Sequence, residues 1–296
     1  MVEIPRIVVA GTHSGVGKTT VASGLMAALS SEGFRVAPFK VGPDFIDPSY
    51  HTLAAGRPGR NLDAFLSGED LIGPLFAHGA RDADIAVIEG VMGLFDGKGG
   101  GDLASTAHVA RLLEAPVVLV VDARAMSRSV AAIVHGYTTF YPGLHVAGVI
   151  LNRVGSRGHE TMLREALKPL SIPVLGVLRR NDEIDTPYRH LGLVPVAERR
   201  PEATRSLHAL GKVISLSLNL DGIVRLACSA VPLVVEAWSP ESRDLYRSEG
   251  VRVAVATGPS FSFLYRENLE LLEGAARSQR YHSPPELRRP LGVCVA

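Results

Sequence analysis

At 296 residues, 46% hydrophobic and 21% charged, the chain is long enough for one large packed domain of about 200–250 residues plus an appendage, and too apolar to be disordered. Its 31 basic and 30 acidic residues leave a formal net charge of +1, so bulk electrostatics gives no reason to expect a nucleic-acid partner, while leaving room for a local basic pocket that takes an acidic small molecule. Two cysteines in no metal-binding or redox spacing, an N-terminus that does not read as a signal peptide, and apolar runs as short as Ala115–Val121 point to a cytoplasmic protein without a membrane span.

The first expected strand, Arg6–Ala10, ends at Gly11 and passes through a loop of small residues into a helical pattern over Thr20–Ser30. Strand, glycine loop and helix in that order present backbone N–H groups and a helix N-terminus to a phosphate chain. Ser14, Gly15, Val16, Gly17, Lys18, Thr19 and Thr20 are therefore the candidate phosphate cradle. In it Lys18 brings a positive charge to the outer phosphates and the Thr19 hydroxyl offers an oxygen to Mg²⁺. The spacing is irregular: Gly11 lies one residue earlier than the first glycine of G-x-x-x-x-G-K-[ST], and Thr12 stands in its place.

A second strand, Arg35–Phe39, runs into Lys40-Val41-Gly42-Pro43-Asp44-Phe45-Ile46-Asp47-Pro48, which reads as a rigid loop. Further strands are expected at Asp84–Ile88, Pro116–Val121, Val146–Leu151 and Ile172–Val177, with helices at Ser105–Leu113, Ser127–Phe140 and Gly158–Leu167. Nearly continuous Val/Ile/Leu runs are the mark of strands buried on both faces. Their alternation with helices predicts an α/β fold, a doubly wound and mostly parallel sheet with helices on both faces and ligands at the carboxyl ends of the strands. Glu202–Ala227 is expected as a closing helix, Pro232–Pro240 as a linker, Val251–Ala256 as a strand and Glu267–Glu273 as a helix; Ala275–Pro290 shows little periodicity.

Polar groups gather at the strand ends. Lys40, Asp44 and Asp47 follow the second strand, and Glu89 and Asp96 lie in EGVMGLFDG after Asp84–Ile88. Thr19, Asp47 and Glu89, with nucleotide phosphate and water, would satisfy Mg²⁺, a hard six-coordinate ion. Lys40 could neutralise charge on a transferring phosphoryl group. Each loop aspartate, Asp44 before Phe45 included, could instead cap a turn or helix. The glycine-rich loop from Gly90 to Gly101 either approaches a ligand closely or is merely permissive. Asn152, at another strand end, either reads an adenine edge or forms a turn. His13 reads as a loop residue, and His190 falls in a candidate nucleotide-base loop.

Taken together, GTHSGVGKTT, KVGPDFIDPSYH, EGVMGLFDG, Ser105–Ala107, VLVVDA, GVILNRVGS and RHLGLVP resemble the cobyrinic acid a,c-diamide synthases, the glutamine- and ATP-dependent amidating enzymes of cobalamin synthesis. The resemblance runs from about Arg6 to Gly274, and the shifted loop is similar to that of the wider dethiobiotin synthetase-like ATPase group. It implies that Lys18 and Thr19 hold ATP and Mg²⁺, that Asp47 and Glu89 are further metal ligands, and that Lys40, Asp44 and Asp96 position the γ-phosphate and the substrate carboxylate. The implied chemistry turns a side-chain carboxylate of a corrin polycarboxylate into an acyl phosphate, which ammonia converts to an amide. The nitrogen comes from glutamine in the family and from free ammonia or another glutaminase source here. A homodimer is left open.

The resemblance divides the chain into a synthetase domain over 1–230, a linker over 231–250 and the opening of a glutamine amidotransferase domain over 251–274. Residues 275–296 are expected as a tail outside the family pattern, as though the second domain were cut short. Cys228, in LACSA, reads as a small core residue, and Cys294 lacks a nucleophile turn, so neither is expected to serve a glutaminase. Two other readings stand beside the amide ligase: a nucleotide-dependent switch that binds a partner protein, and a dethiobiotin synthetase-like ligase. The KVGPDFIDPSYH segment favours the amide ligase.

Overall fold

The valine- and isoleucine-rich runs form the strands of one seven-stranded sheet, buried on both faces because each successive side chain has a helical layer to enter. A computed structural model of the chain describes residues 2–180, 196, 200–240, 252–258, 261–275 and 277–282. The strands are β1 (Arg6–Gly11), β2 (Val36–Val41), β3 (Arg60–Leu62), β4 (Ile85–Glu89), β5 (Val117–Asp122), β6 (Val146–Val154) and β7 (Val174–Arg179). Their order is β3-β2-β4-β1-β5-β6-β7, and every pairing is parallel. The expected doubly wound sheet is therefore what forms, with the strand order reversing beside β1.

Helices cover both faces. Ile7 and Val9 of β1 point into a layer with α1 (Lys18–Ser31), α2 (Asp47–Ala55), α7 (Arg200–Ser217) and α8 (Leu220–Cys228). Val8 and Ala10 point into the opposite layer, with α3 (Ile72–Gly79), α4 (Thr106–Leu112), α5 (Ser129–Thr139) and α6 (Arg157–Leu167). At the N-terminal end of β1 the fully buried Arg6 donates to the carbonyls of Leu113 and Val231, tying the sheet to the segment after α8.

Several expectations need correction. The loop expected through Pro48 gives way to α2 at Asp47, because a proline in the first helical turn loses no intrahelical bond. β3 and α3 were not foreseen. The single helix expected over Glu202–Ala227 is two helices. Leu218 bridges Gly176 of β7, the Asn219 N–H donates to Leu175 O at 2.7 Å, and the Asn219 side chain caps α8 by accepting from Gly222 N at 2.9 Å. Cys228 is exposed, not core, because Ile223 and Ala227 take the inward phase of α8. Residues 231–240, expected as linker, lie on the body: Leu233 pairs with Val2, and the buried Trp238 donates its backbone N–H to Pro74 O and stands edge-on to His78.

Within 275–296, where the sequence shows little periodicity, β9 (Arg277–His282) pairs in parallel with β8 (Arg252–Thr257), connected through α9 (Arg266–Ala275). A parallel pair needs such a crossover. α9 is held to the body by Arg60, which bridges Glu267 at 2.7 Å and Glu270 at 2.6 Å, and by His78, 2.9 Å from Glu270. Phe45 stacks on Phe263 and Tyr265, with centroids 5.1 and 4.5 Å away. His190 and Cys294 lie outside the described residues. Among the described residues no helix is long and apolar enough to cross a membrane.

Candidate functional site

The loop between β1 and α1 turns on two glycines in left-handed backbone, Gly15 at φ +79° and Gly17 at φ +99°. Gly17 precedes the first residue of α1, so the unpaired N–H groups of the helix start open on the carboxyl edge of the sheet. Ser14 and Gly15 are exposed, Val16 is buried beneath the loop, and Thr19 and Thr20 lie in the first turn of α1. The Lys18 ammonium donates to His13 O at 3.3 Å. Burial, aided by the Lys40 charge, lowers its pKa below the usual lysine value against the pull of Glu89, Asp47 and Asp96. His13 itself bonds Ser14 O and is a loop residue, as expected. Asn152, at the end of β6, donates its side-chain amide to Val16 O at 2.7 Å. It braces the loop.

Four groups meet one step deeper. In the register of β2 with β4, Lys40 is the partner of Glu89, so the two side chains leave the sheet side by side. Lys40 Nζ lies 2.9 Å from Glu89 Oε1 and 2.8 Å from Asp47 Oδ2, and also donates to Gly90 O at 3.1 Å. The Thr19 hydroxyl donates to Glu89 Oε1 at 2.6 Å and reaches Asp47 Oδ2 at 3.3 Å. All but Thr19 are buried. Burial alone would keep Glu89 protonated, but Lys40 and the bonds from His51 and Thr19 outweigh it and hold the carboxyl far below the usual range. Asp47 shifts the other way, pushed up to about 6 by burial and by Glu89 despite Lys40.

As a donor set this cluster suits a hard cation: one hydroxyl and two carboxylate oxygens converge with no sulfur or imidazole nitrogen among them. The position a divalent ion would share is spanned by the Lys40 ammonium, which bridges both carboxylates. Admission of Mg²⁺ would require Lys40 to turn toward the phosphates.

The other two aspartates do different work. Asp44 Oδ1 accepts the N–H groups of Ile46 and Asp47 at 2.8 and 3.0 Å, fixing the entry to α2. It also borders a cavity of about 340 Å³ that opens on the other side of α2, with Ser49, Thr52, Arg200 and Arg266 in its wall. Asp96 Oδ2 accepts from Gly93 N at 2.8 Å, closing the glycine-rich turn, and its charge acts on Lys18.

One residue of the cluster escaped the sequence reading. His51 is fully buried, and its Nε2 lies 2.6 Å from Glu89 Oε2. Asp47 and His51 stand four residues apart on α2, one above the other on the same face. That i, i+4 spacing was the available signal, and reading Asp47–Pro48 as a loop concealed it.

Residues 7–194 match the CbiA family, described as the CobQ/CobB/MinD/ParA nucleotide binding domain. The chain belongs to that family. It is 51% identical to the hydrogenobyrinate a,c-diamide synthase of Streptomyces coelicolor, over 92% of this chain and 62% of that protein. It is 52% identical to the protein of the same name from Thermobifida fusca, over 92% of this chain and 60% of that one. The cobyrinate a,c-diamide synthase of Priestia megaterium is 41% identical, over 94% of this chain and 60% of that protein. This CbiA-family chain thus spans about 60% of the length of the curated relatives it matches.

Proposed function

We propose that the chain carries the ATP-dependent amidating centre of a corrin a,c-diamide synthase. Residues 1–230 would form the synthetase unit, and a second α/β unit would open near residue 251. The observation that carries this reading is the meeting of Thr19, Asp47 and Glu89 around Lys40 beside the phosphate loop, in a chain half identical to enzymes of that name. A carboxylate is a poor electrophile, and what such a cluster can do is hold ATP and balance charge while a carboxylate oxygen attacks the γ-phosphorus.

In this reading the loop N–H groups of Ser14–Thr20 and the Lys18 ammonium bind the phosphates, and Asn152 keeps the loop in shape. Thr19, Asp47 and Glu89 would hold Mg²⁺, which when bound neutralises phosphate charge. Lys40 moves with the developing charge on the γ-phosphoryl group. The bond from the γ-phosphorus to the bridging oxygen breaks and ADP leaves, giving the acyl phosphate. Ammonia then attacks the acyl carbon, phosphate leaves, and the nitrogen loses a proton to give the amide. Asp96, whose charge acts on Lys18, and Asp44, which borders the cavity, would position the γ-phosphate and the substrate carboxylate. Arg200 and Arg266 in the cavity wall suit the carboxylates of an acidic substrate.

The relatives at 50–52% identity are named for hydrogenobyrinate and those at 41–42% for cobyrinate, which favours the metal-free acid as substrate. The test is ATP turnover with ammonium, with hydrogenobyrinic acid, cobyrinic acid or neither. Stimulation by hydrogenobyrinic acid is expected, with ADP and amide formed in equal amounts. Turnover indifferent to both corrins would overturn the reading.

A further inference from the structure

We propose that His51 is a positioning residue, whose imidazole holds Glu89 so that one carboxylate oxygen alone faces the cation position beside Thr19. This rests on the reading of Glu89 as a Mg²⁺ ligand and assigns how that ligand is aimed. A glutamate's terminal torsion is broad and nearly two-fold, so an unrestrained carboxylate can present either oxygen or both. Here the two oxygens are separated by partner. Oε1 takes Thr19 at 2.6 Å and Lys40 at 2.9 Å, while Oε2 takes His51 Nε2 at 2.6 Å. An ionised carboxylate oxygen can only accept, so the ring carries a proton on Nε2 and donates it.

The second nitrogen makes this more than packing. Among the described residues the buried His51 Nδ1 has no hydrogen-bond partner. A buried polar atom left unpaired carries its full desolvation cost, which an apolar side chain of similar size would avoid. Among the described residues the ring's one polar bond is to Glu89, so that bond is what an imidazole provides there. The helix supplies the aim. α2 sends Asp47 to the cation position and, one turn on, His51 to the far side of Glu89, so a single rigid element sets both carboxylates. With that bond removed, Glu89 would be free to turn both oxygens onto Lys40 and bind that ammonium more closely. Outer partners of this kind change metal affinity by roughly 10–100-fold when lost.

The experiment uses the whole chain and the fluorescent nucleotide mant-ATP, titrated with MgCl₂ and, separately, in EDTA. His51→Gln keeps a donor near Nε2, and His51→Met removes it at similar length. For His51→Met the Mg²⁺ concentration at half-saturation should rise by roughly tenfold or more, with binding in EDTA unchanged. His51→Gln should recover most of the difference. Glu89→Gln is the reference, since it alters the ligand itself. If Glu89→Gln shifts the Mg²⁺ titration and folded His51→Met does not, His51 is not a positioning residue. If neither shifts it, the assignment of Glu89 to the metal is what fails. Should His51→Met not fold, ¹⁵N-histidine NMR of the wild-type chain reads the same bond. A bare, unprotonated Nε2 at His51 would overturn the proposal, and a protonated Nε2 whose resonance moves on adding Mg²⁺ and nucleotide would support it.

Discussion

The side-chain amide of Asn152 fills the space into which a β-carbon on Gly17 would project, closer than any real β-carbon approaches a neighbour. Gly17 also sits at φ +99°, where an L side chain is strained. Gly17→Ala should therefore lose mant-ATP binding and destabilise the fold by about 1–3 kcal/mol. Removing the obstruction with Asn152→Ala in the same chain should recover only part of the loss, because the backbone strain remains. Full recovery in a urea-unfolding and binding comparison would show that the contact alone mattered.

Lys18 is buried at the mouth of the loop with the charge of Asp96 acting on it. Lys18→Ala should abolish ATP hydrolysis while leaving the fold in place. Normal phosphate release by that variant would contradict the phosphate-cradle assignment.

Lys40 separates two buried carboxylates. Lys40→Met leaves them facing each other without a cation and should cost about 3–5 kcal/mol of unfolding free energy. Adding Asp47→Asn should return a good part of that, since one of the opposed charges is gone. Urea unfolding of the single and double variants measures this, and additive losses would argue against the coupling.

A pH effect is expected at the docking of α9. Burial opposes the charge of Glu270, but the bonds from Arg60, His78 and Arg266 more than reverse this and hold its carboxyl at about 2, below the ordinary 4.5. A carboxyl whose folded pKa is depressed contributes stability above its unfolded value and loses it as pH falls toward the folded one. Between pH 4.5 and 2, amide exchange over residues 266–275 should accelerate before that of β1 and β5. Glu270→Gln should show the faster exchange already at pH 7. Identical exchange in both chains at pH 7 would remove this carboxylate from the docking.

Much of this was readable in the chain. Uninterrupted Val/Ile/Leu runs marked the central strands because both faces of a parallel sheet are buried, and Thr19, Lys40, Asp47 and Glu89 could be grouped because loops after parallel strands open on one edge. That the Lys40 ammonium lies between the two carboxylates was not readable, because it depends on the pairing of Lys40 with Glu89 across two strands 49 residues apart. Pro48 hid α2, and with it His51, since proline signals a loop unless it falls in the first turn of a helix. Gly73 and Pro74 hid α3 in the same way. The three–four pattern of Leu207, Leu210, Ile214 and Leu218 stops at the break, where Asp221 and Gly222 take the next positions, and the backbone of β7 together with the Asn219 cap fixes the turn there.

That break has a bearing on self-association. A strand at the margin of a sheet offers a row of unpaired donors and acceptors to any similar chain. The Asn219 N–H takes Leu175 O and Leu218 bridges Gly176, covering that stretch of β7, and Gly176 lets the helix backbone come close enough to do so. At the opposite margin β3 is only three residues long, too short a template to recruit a partner strand. At these two places the seven-stranded sheet gives a second copy of the chain little backbone to pair with.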